Sequence, residues 1–313
     1  MTALVSVVVP AFNAARWIGE TLASVTAQTW TNLEIIVVDD GSVDKTADVV
    51  AAFADPRLRL VRHDHHGAAA ARNRGILESR GELIQFLDAD DVLSHDKIER
   101  QARALQSALS DSLASCAWAR FSKTPDALRV EAEQVWAIAD PVEWLVKSLA
   151  GGGMMQPGAW LTPRVLIDAA GPWNENLSLH DDGEFFCRVL LRAKRNIFVH
   201  EAIVYYRDVN ESLSRRRGRA AIESALAVCR LRANHLLAVR DDRNSRRALA
   251  TQYAQFAYEF ASVAPDLTAE ALAAIHELGE KPAGNIGGKL FRLSAALLGL
   301  DAAVRLRSRQ AAT

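Results

Sequence analysis

The chain has 313 residues, half of them apolar, enough for one large domain or two modest ones around a sizeable core. Its 37 Lys and Arg nearly balance 38 Asp and Glu, a formal net charge of −1 that argues against a nucleic-acid binder. The three cysteines, Cys116, Cys187 and Cys229, fit no metal or redox spacing and are expected as free, buried thiols in a reducing cytoplasm.

Leu4 to Val9 is a nearly continuous β-branched run, the pattern of a strand in a parallel sheet covered on both faces, and Pro10 is expected to stop it. No basic leader precedes it, so no secretory signal is expected, and no apolar run reaches bilayer-spanning length. Helical spacing follows from Ala14 to Gln28, then a buried strand from Leu33 to Val38 that ends at Asp39-Asp40-Gly41-Ser42. A helix from Thr46 to Phe53, a strand from Leu58 to Val61 and an Ala-rich helix from Gly67 to Glu78 with Arg72 and Arg74 come next. Leu83 to Phe86 is a fourth strand, running into Leu87-Asp88-Ala89-Asp90-Asp91. The alternation predicts a doubly wound, mostly parallel α/β sheet, and such sheets bind ligands beyond the carboxyl ends of their strands.

Each of those ends is polar: Asn13, then Asp39 and Asp40, then His63 to His66, then Asp88 to Asp91. Asp40 can accept the imide N–H of a uracil-like base or a ribose hydroxyl, or it can serve the turn through Ser42 and Asp44. Arg72 can supply a cation for a diphosphate, or sit exposed on its helix. Three carboxylates within four positions repel one another, and the usual remedy is a divalent cation. Hard oxygen ligands suit Mg²⁺ or Mn²⁺, which in turn hold phosphates. The competing reading is a solvated acidic turn, with Asp91 or Ser94 capping the next helix. No Gly-x-Gly-x-x-Gly follows the first strand and no Gly-Lys-Ser/Thr loop is present, which disfavours a dinucleotide oxidoreductase and a P-loop NTPase. His63, His65 and His66 lack matched partners and are expected to be solvated, not zinc ligands.

Taken together, these segments resemble family-2 glycosyltransferases with the GT-A fold. The resemblance is carried by Val5-Ser6-Val7-Val8-Val9-Pro10-Ala11-Phe12-Asn13, by Leu33 to Thr46 with its Asp39-Asp40-Gly41-Ser42, by Ala71-Arg72-Asn73, and by Gly81 to Asp91. It covers about the first hundred residues in order, spacing and strand context. It implies transfer of a sugar from a nucleotide diphosphate sugar, a UDP-sugar by expectation, with inversion at the anomeric carbon. It also implies donor-side roles for Pro10, Asn13, Asp40, Arg72 and Asp88, and a metal-ligating role for Asp90 toward Mn²⁺ or Mg²⁺.

Past His95 a helix is expected to about Leu109, then a strand from Leu113 to Phe121 and a helix from Pro141 to Leu149. Gly151-Gly152-Gly153 reads as a flexible break before a short strand, Gly158 to Leu161. Met154 is expected in the core, whereas Trp160 is divided between core packing and stacking on an acceptor sugar. Gly171-Pro172-Trp173 is a turn. Phe185, Phe186, Val189 and Leu190 mark a helix that starts at Asp181-Asp182, an N-cap pair or a catalytic carboxylate. An inverting transfer needs one carboxylate to take the acceptor proton. The segment resembles the family's Glu-Asp motif, which implies that Asp182 is that base and that Asp181 stands on the acceptor side. A strand from Ile197 to Tyr206 precedes Arg207. Many members carry a metal-binding His at the position that is Val209 here, so Asp208, Asn210 or the diphosphate itself would complete the metal's shell.

Arg215-Arg216-Arg217-Gly218-Arg219 reads as a solvated linker, with a loop over the diphosphate or a contact with anionic lipid as the other readings. Helices are expected over Ala220 to Val239, Arg246 to Val263, Thr268 to Leu278 with Thr268 as cap, and Leu290 to Leu306. The last carries leucines beside Lys289, Arg292, Arg305 and Arg307 and suits packing on neighbours, a homo-oligomer contact or a membrane surface. The expected layout is a GT-A domain over 1–214, with a Rossmann-like nucleotide-sugar-binding half (1–104) and an acceptor half (105–214), and an α-helical C-terminal region over 215–313. The expected partners are the donor and a glycan or lipid-linked acceptor of polysaccharide or glycoconjugate synthesis, in the cytoplasm or at the inner face of the membrane. A nucleotidyltransferase is disfavoured by the missing Gly-rich triphosphate loop. A nucleotide-sugar-binding protein or assembly subunit without turnover is the alternative that Val209 keeps open.

Overall fold

The computed structural model describes residues 2–108, 111–122, 124, 130–209, 217–284 and 286–310. The chain begins with β1 (Val5–Ala11), α1 (Ile18–Thr26), β2 (Leu33–Asp40), α2 (Thr46–Ala51), β3 (Leu58–His63), α3 (Ala68–Glu78) and β4 (Leu83–Phe86). It continues with β5 (Val92–Leu93), α4 (Lys97–Gln106), β6 (Ser112–Phe121), α5 (Pro141–Lys147), β7 (Thr162–Pro163), α6 (Arg164–Ala170), α7 (Asp181–Arg192) and β8 (Arg195–Arg207). The last helices are α8 (Arg219–Val239), α9 (Arg243–Phe260), α10 (Pro265–Leu278), α11 (Lys289–Leu298) and α12 (Leu300–Gln310).

The first compact unit comprises Met1–Pro141, Met155–Glu175 and Arg192–Ser212. Its main sheet has the order β3-β2-β1-β4-β7. The first four strands are parallel and β7 is antiparallel to β4. The largely apolar runs of β1 and β2 are buried except at the half-buried Pro10, as a sheet covered on both faces requires. A smaller sheet, β5-β8-β6, lies beside the acidic turn after β4. Pro10 does not end β1, which runs on to Ala11. Pairing with β4 stops at Val8, opposite Phe86, so past that point β1 is paired on the β2 side alone and a residue without N–H is tolerated.

The second unit comprises Val142–Met154, Asn176–Leu191 and Leu213–Thr313, so α5 and α7 join the C-terminal helices. Leu145, Ile222, Leu249, Phe260, Leu272 and Val304 belong to one shared core. Thr268 does not cap α10: it is buried within the helix, which starts at Pro265, where a missing N–H is harmless. The run expected as one helix from Leu290 to Leu306 is two, α11 and α12, because Gly299 adopts φ +84° and breaks the ladder. Cys116, Cys187 and Cys229 are free and buried, and burial pushes their thiols up to about 11, 12 and 12. Among the described residues no helix is long and apolar enough to cross a membrane.

Candidate functional site

Strand order in the main sheet turns back at β1, whose neighbours are β2 and β4. The carboxyl ends of β1 to β4 therefore share one edge, where open α/β sheets bind ligands. Asn13, in the left-handed region at φ +49°, ties the loop after β1 to the loop after β2. Its N–H donates to Ser42 Oγ at 2.9 Å and its Oδ1 accepts from Val43 N–H at 3.0 Å. Pro10, half-buried, carries the chain into this loop. Phe12 is largely exposed and stacks on His65 with ring centroids 4.1 Å apart.

Asp40 is buried, and its carboxylate accepts from the N–H groups of His66 (2.8 Å) and Gly67 (2.9 Å), just ahead of α3. His65 Nδ1 lies 2.7 Å from the same carboxylate and His63 Nε2 lies 3.3 Å from it. The histidine loop thus folds around Asp40; the sequence showed the histidines but not this partner. Asp39 points the other way, accepting from Ser42 N–H at 3.0 Å and facing Arg62 at 3.1 Å.

The small residues of α3 let it lie close on β1. A Cβ on Gly75 would stand 2.2 Å from Val8 Cγ1. That approach carries Arg72, buried and not surface-exposed, to Asp88: Nη2 donates to Oδ1 at 2.8 Å, and the guanidinium lies 4.5 Å from the Trp173 ring centroid. Asn73 holds Trp173 in place, donating to its carbonyl at 3.0 Å and accepting from its N–H at 2.8 Å.

The acidic turn is held from below by Arg207 at the end of β8. This buried arginine donates through Nε to the Asp90 carbonyl at 2.8 Å and through its backbone N–H to Asp91 Oδ1 at 2.9 Å. It pairs with Glu20 and lies over Trp17 and Phe121, at 4.5 and 4.3 Å from their ring centroids. Burial and the neighbouring Asp88 carboxylate push Asp90 up to about 6. Burial, with Asp90 and Asp88 beside it, pushes Asp91 up as well, and its Oδ2 has no hydrogen-bond partner among the described residues. Three carboxylates share this turn with two arginines, Arg72 and Arg207, and the raised Asp90 carboxylate is a hard oxygen donor of the kind that suits a divalent cation. Among the described residues no three His, Cys, Asp or Glu side chains form a metal-binding group. Asp208 is exposed and Val209 half-buried, while Asn210 lies outside the described residues.

Behind the turn sits a lysine that sequence reading passed over. Lys97 is buried, its ammonium donates to Gln85 Oε1, and burial lowers it to about 8. Gln85 Nε2 in turn donates to the Gly158 carbonyl at 2.9 Å, and Gln101 Nε2 donates to the Ala159 carbonyl at 2.9 Å. These bonds hold 157–159 as a tight 3₁₀ turn instead of the expected strand. They also correct Trp160, which is 1% exposed: its indole belongs to the core and offers no face to a sugar. Met154, expected in the core, is 42% exposed, and Met155 is buried instead.

Asp181 and Asp182, both half-buried, open α7 in the second unit. His180, with φ +61°, turns the chain into the helix, and its carbonyl accepts from Gly183 N–H at 3.1 Å. Asp182 Oδ1 accepts from Gly183 N–H at 2.8 Å. Arg232 lies over Gly183, where a Cβ would stand 1.4 Å from Nη2, and donates to the Gly183 carbonyl at 2.9 Å. Glu184, buried, is bonded by Arg188 at 2.8 Å and His235 at 3.1 Å. Within the basic run, Arg217 pairs with Glu259 and Arg219 with Glu223 and Asp266, while Arg215 and Arg216 lie outside the described residues.

The sequence model of Glycosyl transferase family 2 matches residues 6–157. EpsH of Bacillus subtilis is 30% identical over 235 residues, 72% of this chain and 67% of the relative. Glycosyltransferase GlyG of Streptococcus pneumoniae is 27% identical over 223 residues, 69% of this chain and 74% of the relative. Residues 1–349 of S. aureus TarS, crystallised with UDP-GlcNAc, superimpose with a TM-score of 0.73 at 19% identity, covering 98% of this chain and 91% of that one.

Proposed function

The chain belongs to glycosyltransferase family 2, with the GT-A fold, and from that premise we propose that it moves a sugar from a UDP-sugar to a hydroxyl of a glycan or lipid-linked acceptor, with inversion. The observation that carries the reading is the edge formed by β1, β2 and β4, where Arg72 pairs with Asp88 at the head of the acidic turn. TarS, which has this fold, was crystallised with UDP-GlcNAc, and that supports a uridine donor here.

In this reading Pro10, Asn13 and Asp40 shape the base and ribose end, and the Arg72–Asp88 pair meets the ribose, diphosphate or donor sugar. Asp90 would hold Mn²⁺ or Mg²⁺, which when bound supplies a Lewis acid for the departing nucleoside diphosphate. Asp182 takes the proton of the acceptor hydroxyl as its oxygen bonds to the anomeric carbon. The bond from that carbon to the diphosphate oxygen breaks, and the nucleoside diphosphate leaves. Asp182 is supported by its order after the donor motifs. Asp181 stands beside it on the acceptor side. We assign residues 1–214 to this chemistry and the helices of 215–313 to support and association, and we place the product among polysaccharides or glycoconjugates assembled in the cytoplasm.

Calorimetry with a panel of nucleoside diphosphates and their sugars, with and without Mn²⁺, tests the donor half. Metal-dependent binding of one nucleotide, lost in Asp90→Ala, is expected; no binding by the folded protein overturns the reading. The second reading, donor binding without turnover, is favoured by Val209 at the usual histidine position. Asp182→Asn separates the two. It is expected to keep donor binding and lose transfer, whereas a parent protein that binds donor but transfers to no acceptor hydroxyl and releases no nucleoside diphosphate supports the second.

A further inference from the structure

Only one residue of α11, Phe291, is buried. Leu290, Leu293 and Leu297 share one face of the helix, at spacings of three and four, and are 82%, 58% and 73% exposed. Leu298 is 59% exposed beside them. Other exposed apolar residues, such as Val43, Leu77 and Val165, are scattered over different elements, which is ordinary; four leucines on one short helix are not.

The helix is seated firmly from its other side. Phe291 meets Tyr258 edge-on with centroids 4.7 Å apart. Arg307 lies over the same ring at 4.1 Å and donates to the Tyr258 carbonyl at 2.8 Å. Gly287, at φ +69°, leaves room for that ring, since a Cβ there would stand 2.4 Å from it. The leucine face is therefore displayed by a fixed helix.

Charge selects the occupant. Between residues 281 and 310 the cations are Lys281, Lys289, Arg292, Arg305, Arg307 and Arg309, against a single acid, Asp301. That acid is engaged by His276 at 3.1 Å. The chain as a whole is nearly neutral, so this stretch of sequence, which includes the apolar stripe, is a basic island. Two copies meeting across the stripe would set like charges against each other at the rim, which costs free energy. An anionic lipid surface answers both features: leucines enter the acyl boundary and the cations meet headgroups. α11 is about 15 Å long, too short to span and long enough to lie flat.

We infer that α11 docks the chain onto anionic lipid, lying in the interface with Leu290, Leu293 and Leu297 inserted. The site is independent of the donor edge, so its test is independent of transfer. The full chain would be sedimented with vesicles of phosphatidylcholine alone and of phosphatidylcholine with an equal share of phosphatidylglycerol, with ultracentrifugation of the free protein alongside. Binding to the mixed vesicles alone is expected, weakened about tenfold or more when Leu290, Leu293 and Leu297 are all changed to Ser. Lys289→Glu with Arg292→Glu, which keeps the leucines, should also weaken it. Unaltered melting of these variants would verify their fold. No binding to mixed vesicles overturns the inference, as does binding that the Ser variant retains. A dimer that dissociates only in the Ser variant also overturns it, giving the face to a second copy.

Discussion

Arg72 of α3 and Asp88 of the turn after β4 hold each other at 2.8 Å, across the end of the strand that separates their elements. The arginine is buried beneath Trp173, while Asp88 keeps a partly exposed edge. Neutralising Arg72 leaves that carboxylate without its cation. Arg72→Met is expected to cost about 2 kcal/mol of stability, less than a fully buried pair because Asp88 is partly solvated. It should weaken donor binding at least tenfold. Arg72→Lys restores charge but not the stack, so it should recover stability only in part. Urea unfolding and calorimetry measure both.

Asp90 is raised to about 6 by burial and by Asp88. A bound cation adds stability to the folded chain by mass action. Mn²⁺ with UDP is expected to raise the melting temperature of the parent at pH 8 and to leave Asp90→Asn unmoved. A variant that gains as much as the parent would remove Asp90 from the metal site.

Lys97 gives a pH dependence with a definite sign. Its folded value, about 8, lies below the ordinary 10.5, so the folded chain binds the proton less well than the unfolded chain. The penalty is present in full below pH 8 and is relieved as pH rises through 8 toward 10.5, by roughly 3 kcal/mol at most. Lys97→Met removes the titration and also the bond to Gln85. The stability difference, variant minus parent, should therefore favour the variant more at pH 6.5 than at pH 9.5, as urea titrations at both values would show.

Gly75 has no room for a side chain, because Val8 Cγ1 occupies the place of its Cβ. Gly75→Ala is expected to destabilise by about 1–3 kcal/mol through overpacking, despite better helix propensity. Because α3 carries Arg72, donor binding should fall with it. Trimming the opposing side chain in Gly75→Ala/Val8→Ala should return part of both losses, read from the melting curve and the donor titration.

The parallel sheet was legible because β1 and β2 are nearly continuous apolar runs and the helix between them repeats at 3.6 residues. The strand-end polar residues could be located for the same reason. What escaped was long-range. Arg207 and Lys97 are charged and would ordinarily be read as surface; their burial depends on Trp17 and Phe121 for one and Gln85 for the other, all distant in sequence. Trp160 is divided in sequence between core and sugar because it follows a glycine-containing loop, yet Gln85 and Gln101 fix that segment into the core. Two-residue strands such as β5 and β7 are too short to carry a period. The split of the last helix turned on one glycine, Gly299, inside an otherwise continuous apolar pattern.

The depth of the cysteines has a practical corollary. With their thiols held at about 11 to 12, Cys116, Cys187 and Cys229 carry almost no thiolate at neutral pH, and maleimides should pass them by. A lone reporter can then be placed without first stripping the native sulfurs. Val43, 90% exposed and joined through its backbone N–H to Asn13, suits Val43→Cys. With Asn13 at the proposed donor site, a fluorophore attached there is expected to signal nucleotide arrival in real time.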